Sequence, residues 1–341
     1  MIKDKIILVT GAAGLLGSNL VQYILEKTNH IIIALDNYKG GFEEYIPIVE
    51  GRILKVKLDL SNQYEVEELF KKYYIDYIFH LAAFAAEGLS PFMRCHNYQE
   101  NTVNSAFLIN MAIKYNIKKF IFTSSMAVYG NLEPPFHEDM IPQPVDPYGI
   151  AKYATELDLK VAKEQHGLDY CIIRPHNVYG PNQNIWDPYR GVLGIWIRQI
   201  KENKPITIYG DGEQVRSFSY IGDFTPALWN ALVNSETSGE IINLGSSEYH
   251  TLNQAAQILK EAVSKLGFRN VQIEYLEKRH EVKKAYSTYQ KSIELLDYQE
   301  KYDLKNGLEV MAAWAFFEPN REVKKWDHYE LENGIYSYWR H

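Results

Sequence analysis

The sequence has little cysteine, no excess of basic residues and no long apolar run. Its 341 residues include two cysteines, Cys95 and Cys171, without metal-ligand spacing, so free thiols in a reducing compartment are expected. The ten histidines form no HExxH motif, and we expect no metal. The formal charge of −7, with no basic stripe, argues against a DNA or RNA partner.

The chain also lacks an apolar stretch as long as a membrane span, and its first strand-like run begins at Lys5. That leaves no room for a cleavable signal, so we expect no membrane partner and a cytoplasmic location. Hydrophobic residues make up 46% of the chain, enough for a large core in one domain or in two that share a cleft.

Short β-rich runs alternate with helical patterns over the first half of the chain. The runs are Ile6 to Thr10, Ile31 to Asp36, Ile53 to Leu58, Ile75 to Leu81, Phe120 to Ser124 and Tyr170 to Arg174. The spacing of apolar residues predicts helices between them at about 15–27, 62–73, 97–115 and 147–166. This alternation predicts an α/β fold with a Rossmann-type, doubly wound parallel sheet.

The alternation ends after Arg174, where a stretch rich in Gly, Pro and Asn runs from Pro175 to Gly191. Shorter elements follow, such as Ile206 to Gly210 and Ile241 to Leu244. We therefore predict one domain over residues 1–174 and a smaller, mainly substrate-binding α/β domain over 175–341, with some later segments returning to the first.

A glycine-rich turn, Thr10-Gly-Ala-Ala-Gly-Leu-Leu-Gly17, follows the first strand and opens the first helix. A dinucleotide pyrophosphate needs this geometry: Gly11 permits the tight turn, Gly14 lets the backbone approach the phosphates, and Gly17 lets helix and sheet pack closely. The helix N-terminus adds free N–H groups and positive potential. Residues 1–174 are therefore predicted to bind a dinucleotide.

The second predicted strand ends at Asp36, about 20 residues further on, where a carboxylate accepts hydrogen bonds from the adenosine ribose. Its charge would repel a 2′-phosphate and no Arg follows it, so NAD is favoured over NADP. Asp59 lies just past the third strand, at the sheet edge where adenine would lie. A helix-capping role fits Asp59 equally well.

Tyr148 and Lys152 are four residues apart at the start of a predicted helix and therefore face the same way. A nearby ammonium would favour tyrosinate and lower the pKa of Tyr148 from about 10. Such a Tyr can take a proton from a substrate hydroxyl as its carbon loses hydride. Thr123-Ser124-Ser125 places hydroxyl groups at the carboxyl edge of the sheet, where ligands of open α/β folds bind.

Together these motifs resemble the extended short-chain dehydrogenase/reductase family, in its NAD-dependent nucleotide-sugar epimerase/dehydratase group, and most closely the UDP-glucose 4-epimerases. The resemblance covers most of residues 5–290 and includes Asp36-Asn37, Asp59-Leu60 and His80-Leu-Ala-Ala83. It implies that Ser125 is the catalytic hydroxyl, Tyr148 the acid/base, and Lys152 a residue that tunes Tyr148 and holds the nicotinamide ribose. It also implies a homodimer formed through the helices near 97–115 and 147–166.

The NAD contacts expected from the turn, the strand end and the resemblance form one set. Its members are Gly11, Gly14, Leu15, Leu16, Gly17, Asp36, Asn37, Asp59, Leu60, Leu81, Ala82, Ala83, Asn101, Lys152 and His176.

The resemblance also implies a nucleotide-diphosphate sugar as substrate, with Ser125 and Asn177 as contacts and Arg216, in a GDGxQxRxFxY segment, as diphosphate anchor. A guanidinium fork suits two phosphates physically. Arg279 falls where a second such Arg is common, although Thr288 replaces the acidic residue that usually follows.

Three further residues, Trp186, Tyr189 and Arg190, fit either the sugar pocket or a packing role. The loop after Ala83 departs from the family pattern, which motivates the hypothesis that Glu87 and Ser90 touch the sugar.

An epimerase needs only Ser125, Tyr148 and Lys152, because the hydride returns to the same sugar. The related 4,6-dehydratases need an acid/base pair directly after the catalytic hydroxyl, where this chain has Met126 and Ala127, and the decarboxylases usually carry Glu at the position of Ala127. A 4-epimerase is therefore the first hypothesis and a C4 dehydrogenase the second. A non-catalytic NAD sensor or scaffold on the same fold is the third.

Overall fold

The computed structural model describes residues 5–340. Strands cover Ile6–Thr10 (β1), Ile31–Asp36 (β2), Ile53–Lys57 (β3), Tyr77–His80 (β4), Lys119–Thr123 (β5), Tyr170–Pro175 (β6), Val178–Tyr179 (β7), Ile206–Tyr209 (β8), Val215–Ser217 (β9), Ser219–Tyr220 (β10), Glu240–Leu244 (β11), Tyr249–Thr251 (β12), Ile273–Leu276 (β13) and Lys284–Ala285 (β14). Helices cover Leu15–Lys27 (α1), Gln63–Lys72 (α2), Arg94–Tyr98 (α3), Asn104–Lys114 (α4), Pro147–His166 (α5), Val192–Lys201 (α6), Ile221–Val233 (α7), Leu252–Ser264 (α8), Gln290–Leu296 (α9) and Leu304–Phe317 (α10).

Seven parallel strands form the central sheet in the order β11-β6-β5-β4-β1-β2-β3. Alternate residues of one strand enter different apolar clusters: Ile7 and Val9 belong to one, and Leu8 to another. Because successive side chains of a strand point to opposite faces, the sheet is covered on both sides. The prediction of a Rossmann-type α/β fold is confirmed.

Two predicted elements differ from the structure. Ile241 to Leu244, placed among the elements after the break, lies in β11 at the edge of the central sheet, where Ile241 pairs with Ile172 of β6. The helix predicted at 97–115 is longer: α3, a π turn over Gln99–Val103 and α4 follow one another without a break from Arg94 to Lys114. Its first turn is rich in polar residues, so apolar spacing did not reveal it.

Small sheets form part of the second half of the chain, which also supplies β11 to the central sheet and packs α7 against α1. They pair β10 with β7, β13 with β8, and β9 with both β12 and β14. Near the C-terminus α10 packs against α8. None of the helices within residues 5–340 is long and apolar enough to cross a membrane.

Residues 326–340, here called the C-terminal strap, run back across the molecule. Apart from a single 3₁₀ turn at Ser337–Trp339, they are irregular. Ile335 and Trp339 are buried against Ala86, Leu89 and Phe92 of the segment that follows β4. The strap thereby joins the end of the chain to a loop beside the central sheet.

Candidate active site

A cleft of about 1690 Å³ opens where the strand order reverses, at the carboxyl ends of β1 and β4. Ligands of open α/β sheets bind at this position. Most predicted site residues line it: Gly11, Gly14, Leu15, Leu16, Gly17, Asp36, Asn37, Leu60, Leu81, Ala82, Ala83, Ser125, Tyr148, Lys152, Asn177, Arg216 and Arg279. Asp59, Asn101 and His176 are absent from its walls.

The glycine turn between β1 and α1 is compact for steric reasons. Gly11 has φ +70°, and a Cβ there would lie 2.7 Å from the nitrogen of Ala82. A Cβ on Gly17 would lie 2.1 Å from the carbonyl oxygen of Gly11. A Cβ on Gly14, in contrast, would meet only that same oxygen, at 3.4 Å. Gly14 therefore presents bare backbone to the cleft at the N-terminus of α1, which suits a phosphate.

Asp36 ends β2 beside this turn. One carboxylate oxygen accepts a hydrogen bond from the nitrogen of Ala13 at 2.9 Å, and the other accepts one from the nitrogen of Tyr38 at 2.7 Å. Burial raises the pKa of Asp36, and these two bonds oppose the rise. Each oxygen keeps a lone pair for a further donor, as a ribose hydroxyl would supply.

Asp59 acts on the neighbouring loop instead of facing the cleft. Its carboxylate accepts hydrogen bonds from Asn37 Nδ2 at 2.9 Å and from Lys39 Nζ at 2.8 Å. Although burial opposes it, hydrogen bonds from Lys39 and Ser61 hold the pKa of Asp59 well below its usual range. In this structure Asp59 orients Asn37, which does line the cleft.

Asn101, a predicted cofactor contact, lies behind the cleft wall. Its side chain is buried and exchanges two hydrogen bonds of 3.0 Å with the backbone of Phe84. Asn101 thus fixes the course of the chain just after Leu81–Ala83. The sequence did not reveal this, because the partner is the backbone of a distant loop.

His176, another predicted cofactor contact, is also enclosed. Its ring is fully buried and hydrogen bonds with the hydroxyl of Ser287, and its carbonyl oxygen accepts a bond of 2.6 Å from the hydroxyl of Ser219. Burial, with a smaller effect of Arg174, lowers the pKa of His176 to about 3. His176 therefore joins β6 to later segments as a neutral ring.

Ser125, Tyr148 and Lys152 come together at the carboxyl end of β5. Asp146 caps α5 by accepting a bond of 2.8 Å from the nitrogen of Gly149, and Ser125 forms a hydrogen bond with Tyr148. Lys152 Nζ donates to the carbonyl oxygen of Thr123 at 2.9 Å and lies 5.9 Å from the centre of the Tyr148 ring. The predicted trio is thus assembled on one wall of the cleft.

Burial dominates the electrostatics of this trio. It raises the pKa of Tyr148, and the bond from Ser125 opposes the rise. It also lowers the pKa of Lys152 to about 7, against the effect of Glu156. The predicted lowering of the Tyr148 pKa by Lys152 is therefore wrong for this arrangement, because desolvation of the phenolate is the largest effect and the opposing effects come from Ser125 and Arg190.

A buried network that the sequence reading missed lies behind the trio. Glu156 accepts hydrogen bonds from Arg174 and from the hydroxyl of Ser124, and Arg174 also donates to the hydroxyl of Tyr129 at 2.8 Å. Glu156 follows Lys152 by four residues, so both occupy one face of α5. This four-residue spacing is the sequence feature from which a contact of Glu156 with the trio could have been predicted.

The two predicted diphosphate anchors lie at the other end of the cleft. Arg216 is paired with Glu281 at 3.0 Å. Arg279 stacks on Tyr209, with 3.5 Å between the guanidinium carbon and the ring centre, and donates to the hydroxyl of Tyr338 in the strap at 2.8 Å. Asn177, at φ +34°, donates to the carbonyl oxygen of Ser217 at 2.8 Å. Both guanidinium groups keep unused N–H donors for an anion.

Residues of the Trp186–Arg190 segment occupy different parts of the cleft. Tyr189 contacts the strap, where its hydroxyl lies 2.9 Å from that of Tyr329. Arg190 pairs with Asp187 at 2.7 Å and reaches Gly40, beside the glycine turn. The charge of Arg190 therefore acts both on Asp36 at the dinucleotide end and on Tyr148 at the reacting end, whereas Trp186 is a buried part of the wall.

Glu87 and Ser90, both expected to touch the sugar, lie in different surroundings. Ser90 is fully buried, and its hydroxyl accepts a bond of 3.2 Å from the nitrogen of Tyr148. Glu87 lines the cleft. Within residues 5–340 no group of three or more His, Cys, Asp or Glu side chains is arranged to hold a metal ion.

Comparison with known proteins agrees with this geometry. A model of the NAD dependent epimerase/dehydratase family matches residues 7–245. A putative UDP-glucose 4-epimerase of Methanocaldococcus jannaschii is 33% identical over 315 residues, which cover 90% of this chain and 97% of that protein.

Two solved structures are similar over nearly the whole chain. UDP-glucose 4-epimerase of Thermotoga maritima, bound to UDP-glucose, has a TM-score of 0.84 at 32% identity and covers 91% of this chain and 98% of its own. UDP-glucuronic acid 4-epimerase of Bacillus cereus, in complex with UDP-glucuronic acid and NAD, has a TM-score of 0.80 at 28% identity, with coverages of 91% and 98%.

Proposed function

The chain belongs to the NAD dependent epimerase/dehydratase family, and on that premise we propose that it is a nucleotide-sugar 4-epimerase of the UDP-glucose/UDP-galactose type. The observation that carries this proposal is the assembly of Ser125, Tyr148 and Lys152 on one wall of the cleft, beside the apolar Met126 and Ala127. Met126 and Ala127 occupy the two positions directly after Ser125, where the related dehydratases and decarboxylases would carry their acidic groups.

The dinucleotide end of the cleft fits NAD, the cofactor of this family. Gly14 exposes backbone that a Cβ would cover, and α1 directs its free N–H groups to the same place. The Asp36 carboxylate lies at the end of β2, where dinucleotide-binding folds bind the adenosine ribose. Held by these groups, NAD would supply the hydride acceptor and donor for the sugar carbon. Arg190 supplies a cation close to the glycine turn.

Proton transfer falls to Tyr148 in this proposal. In its phenolate form Tyr148 accepts the proton of the sugar hydroxyl during oxidation, and as the resulting phenol it returns that proton during reduction. Ser125, hydrogen bonded to Tyr148, holds the same sugar oxygen, and Lys152 fixes the local structure through Thr123. Because the pKa of Lys152 is about 7, this side chain can also receive or supply a proton near neutral pH.

The substrate end suits a diphosphate. Arg216, Arg279 and Asn177 line the same cleft, and the Asn177 side chain contacts Met126, next to Ser125, and the carbonyl oxygen of Ser217, next to Arg216. Paired guanidinium groups bind phosphate oxygens through planar, charge-assisted hydrogen bonds. Arg216 would exchange its partner Glu281 for phosphate when substrate binds.

A homodimer through α4 and α5 is also proposed. Ile150, Leu157 and Val161 of α5 are each more than two-fifths exposed, as is Val103 just before α4. On α5 these three residues are spaced by seven and four, so they form one apolar stripe. Light scattering should give twice the monomer mass, and charged substitutions at Leu157 and Val161 should halve it.

The test of the activity uses purified protein with UDP-galactose or UDP-glucose and catalytic NAD. We expect interconversion of the two sugars, followed by anion-exchange chromatography, without net NADH. Stoichiometric NADH with a 4-keto sugar would instead identify a C4 dehydrogenase. NAD binding without turnover of any nucleotide sugar would leave the sensor or scaffold role.

A further inference from the structure

Glu87 is a cleft residue for which the proposed mechanism has no use. It begins the six-residue 3₁₀ helix Glu87–Phe92 that follows the Leu81–Ala83 turn, and it lines the same space as Tyr148. Its carboxylate accepts no hydrogen bond from another residue in the described range 5–340. A carboxylate held at a cleft wall without a donor is suited to accept hydrogen bonds from a ligand.

The charges around Glu87 are mostly negative. Asp146, which caps α5, and Glu281 act on it as like charges, and Arg216 is the opposing cation. Arg216 is already paired with Glu281 at 3.0 Å. Burial and then Asp146 raise the pKa of Glu87 to about 7, so this part of the cleft resists additional negative charge.

The position of Glu87 is fixed from behind. The neighbouring Ala86, Leu89 and Phe92 pack against the strap, and the nitrogen of Leu331 donates to the carbonyl oxygen of Phe92 at 3.2 Å. On the other side Ser90 is bonded to the first turn of α5. Because the loop is anchored at both sides, Glu87 cannot easily swing out of the cleft.

Glu87 lines the same cleft as Tyr148 and Arg216, which belong to the two functional ends of the site. Its charge acts on Tyr148, at the reacting end, and it is itself acted on by Arg216, at the diphosphate end. A sugar whose hydroxyl is at Tyr148 and whose diphosphate is at Arg216 must span this interval.

We propose that Glu87 is a specificity-determining residue that selects sugars with uncharged substituents and rejects uronates. This inference rests on the proposed function. The hydroxyl groups of a neutral hexose donate to the Glu87 carboxylate, whereas a sugar carboxylate enters a space that Glu87, Asp146 and Glu281 already make negative. Like charges brought together in this way are a strong means of rejecting a wrong ligand.

The experiment compares kcat/KM for UDP-galactose and UDP-galacturonate in the wild type, Glu87→Gln and the control Glu65→Gln, whose residue is exposed on α2. We expect the wild type to favour UDP-galactose by about 100-fold and Glu87→Gln to reduce that preference by about tenfold or more. Glu65→Gln should leave the ratio unchanged. A preference for the uronate in the wild type, or the same ratio in Glu87→Gln, overturns the inference.

A pH series adds a signature that a packing role would not produce. Between about pH 6 and 8 the wild type should discriminate increasingly against the uronate as Glu87 loses its proton, and Glu87→Gln should show a flatter dependence. The other titratable groups at this place, Asp146, Tyr148, His280 and Glu281, are common to both proteins. Parallel curves would contradict the assignment to Glu87.

Failure of the proposed function is recognised separately. If neither sugar is turned over, the 4-epimerase proposal fails, and calorimetric Kd values for the two UDP-sugars still test Glu87. Weaker binding of the uronate in the wild type, relieved in Glu87→Gln, supports the inference, and equal binding rejects it. NAD binding and thermal unfolding confirm that the variant is folded.

Discussion

The carboxylate of Glu156 and the guanidinium of Arg174 form a two-pronged ion pair in the interior, with 2.9 Å from Nε to Oε1 and 2.6 Å from Nη2 to Oε2. Their side chains are 0% and 2% exposed. Glu156 belongs to α5, which carries Tyr148, and Arg174 belongs to β6, which leads to Asn177. The pair therefore ties the catalytic helix to the strand that precedes a predicted substrate contact.

Replacement of Glu156 by Gln should lower the free energy of unfolding by about 3–5 kcal/mol, because it leaves the Arg174 charge buried without its counterion. Urea denaturation followed by fluorescence measures this. As a control, Glu261→Gln removes an exposed partner of Lys305 and should cost less than about 1 kcal/mol. Similar losses of unfolding free energy in both variants would show that the buried pair stabilises the fold no more than an exposed one.

Tyr148→Phe should reduce kcat by about 10²–10⁴-fold, because the variant keeps the ring and loses the group that moves the proton. Turnover of UDP-galactose measures the loss, while NAD binding and the unfolding curve should stay as in the wild type. Tyr153→Phe, on the same helix, serves as the control and should retain activity. Activity of Tyr148→Phe within tenfold of the wild type would refute the role of acid/base.

The central sheet could be predicted because its signals are local. Apolar runs bounded by turn residues marked β1 and β2 at their observed ends, and the glycine turn marked the start of α1. The place of β11 could not be predicted in this way, since a five-residue strand with three apolar residues does not specify which sheet edge it pairs with. Its pairing with β6 is determined by tertiary packing and not by the local sequence.

The site shows the same division. Gly14, Asp36 and Tyr148 were predictable because each has a required position relative to a strand or helix end. The location of Asn101 and His176 outside the cleft walls could not be predicted, because their surroundings are set by distant segments, the backbone of Phe84 and the hydroxyl of Ser287. No local pattern distinguishes a buried polar side chain that binds its own chain from one that binds a ligand.

Stability should fall in acid partly through His80. Its ring is buried between the hydroxyls of Thr10 and Ser105, and burial, with a smaller effect of Lys152, lowers its pKa to about 3. Below the unfolded-state pKa of about 6.5 the unfolded chain binds a proton that the native state does not, so stability is lost as the pH falls from about 6.5 towards 3. His80 contributes a slope of up to about 1.4 kcal/mol per pH unit.

Urea unfolding of the wild type and His80→Gln at pH 7, 6 and 5 isolates this contribution. The variant should be less stable at pH 7 and should lose stability less steeply below it. Equal slopes would mean that His80 titrates normally in the folded protein.

The strap should open locally when Trp339 is replaced by Ala. Trp339 is 3% exposed and packs on Phe92 and Tyr189, and Arg279 lies 4.9 Å from its ring centre. Loss of a buried Trp costs about 3–5 kcal/mol, so cleavage of the strap by protease should accelerate about 100-fold or more. The KM for UDP-galactose should rise, because Arg279 keeps its stack on Tyr209 but loses the Trp339 ring that also packs beside it.

The control for this variant is Tyr74→Ala, since Tyr74 is 95% exposed and should leave both readouts unchanged. The midpoint of global urea unfolding should move little in Trp339→Ala, because the affected cluster is separate from the main core. A large global loss with unchanged strap cleavage would contradict local opening.

Two glycines of one turn should respond to substitution in opposite ways. A Cβ on Gly14 finds only one atom within 4 Å, at 3.4 Å, and the residue has an ordinary φ of −81°, so Gly14→Val should fold. Its branched side chain would stand where the backbone approaches the pyrophosphate, so NAD affinity should fall by about 100-fold or more. In Gly17→Ala the new Cβ would lie 2.1 Å from the Gly11 oxygen, so helix and strand must separate and the free energy of unfolding should drop by about 1–3 kcal/mol. Calorimetric titration with NAD and urea unfolding of both variants decide the matter: a Gly14→Val protein that still binds NAD as the wild type does would place the pyrophosphate elsewhere.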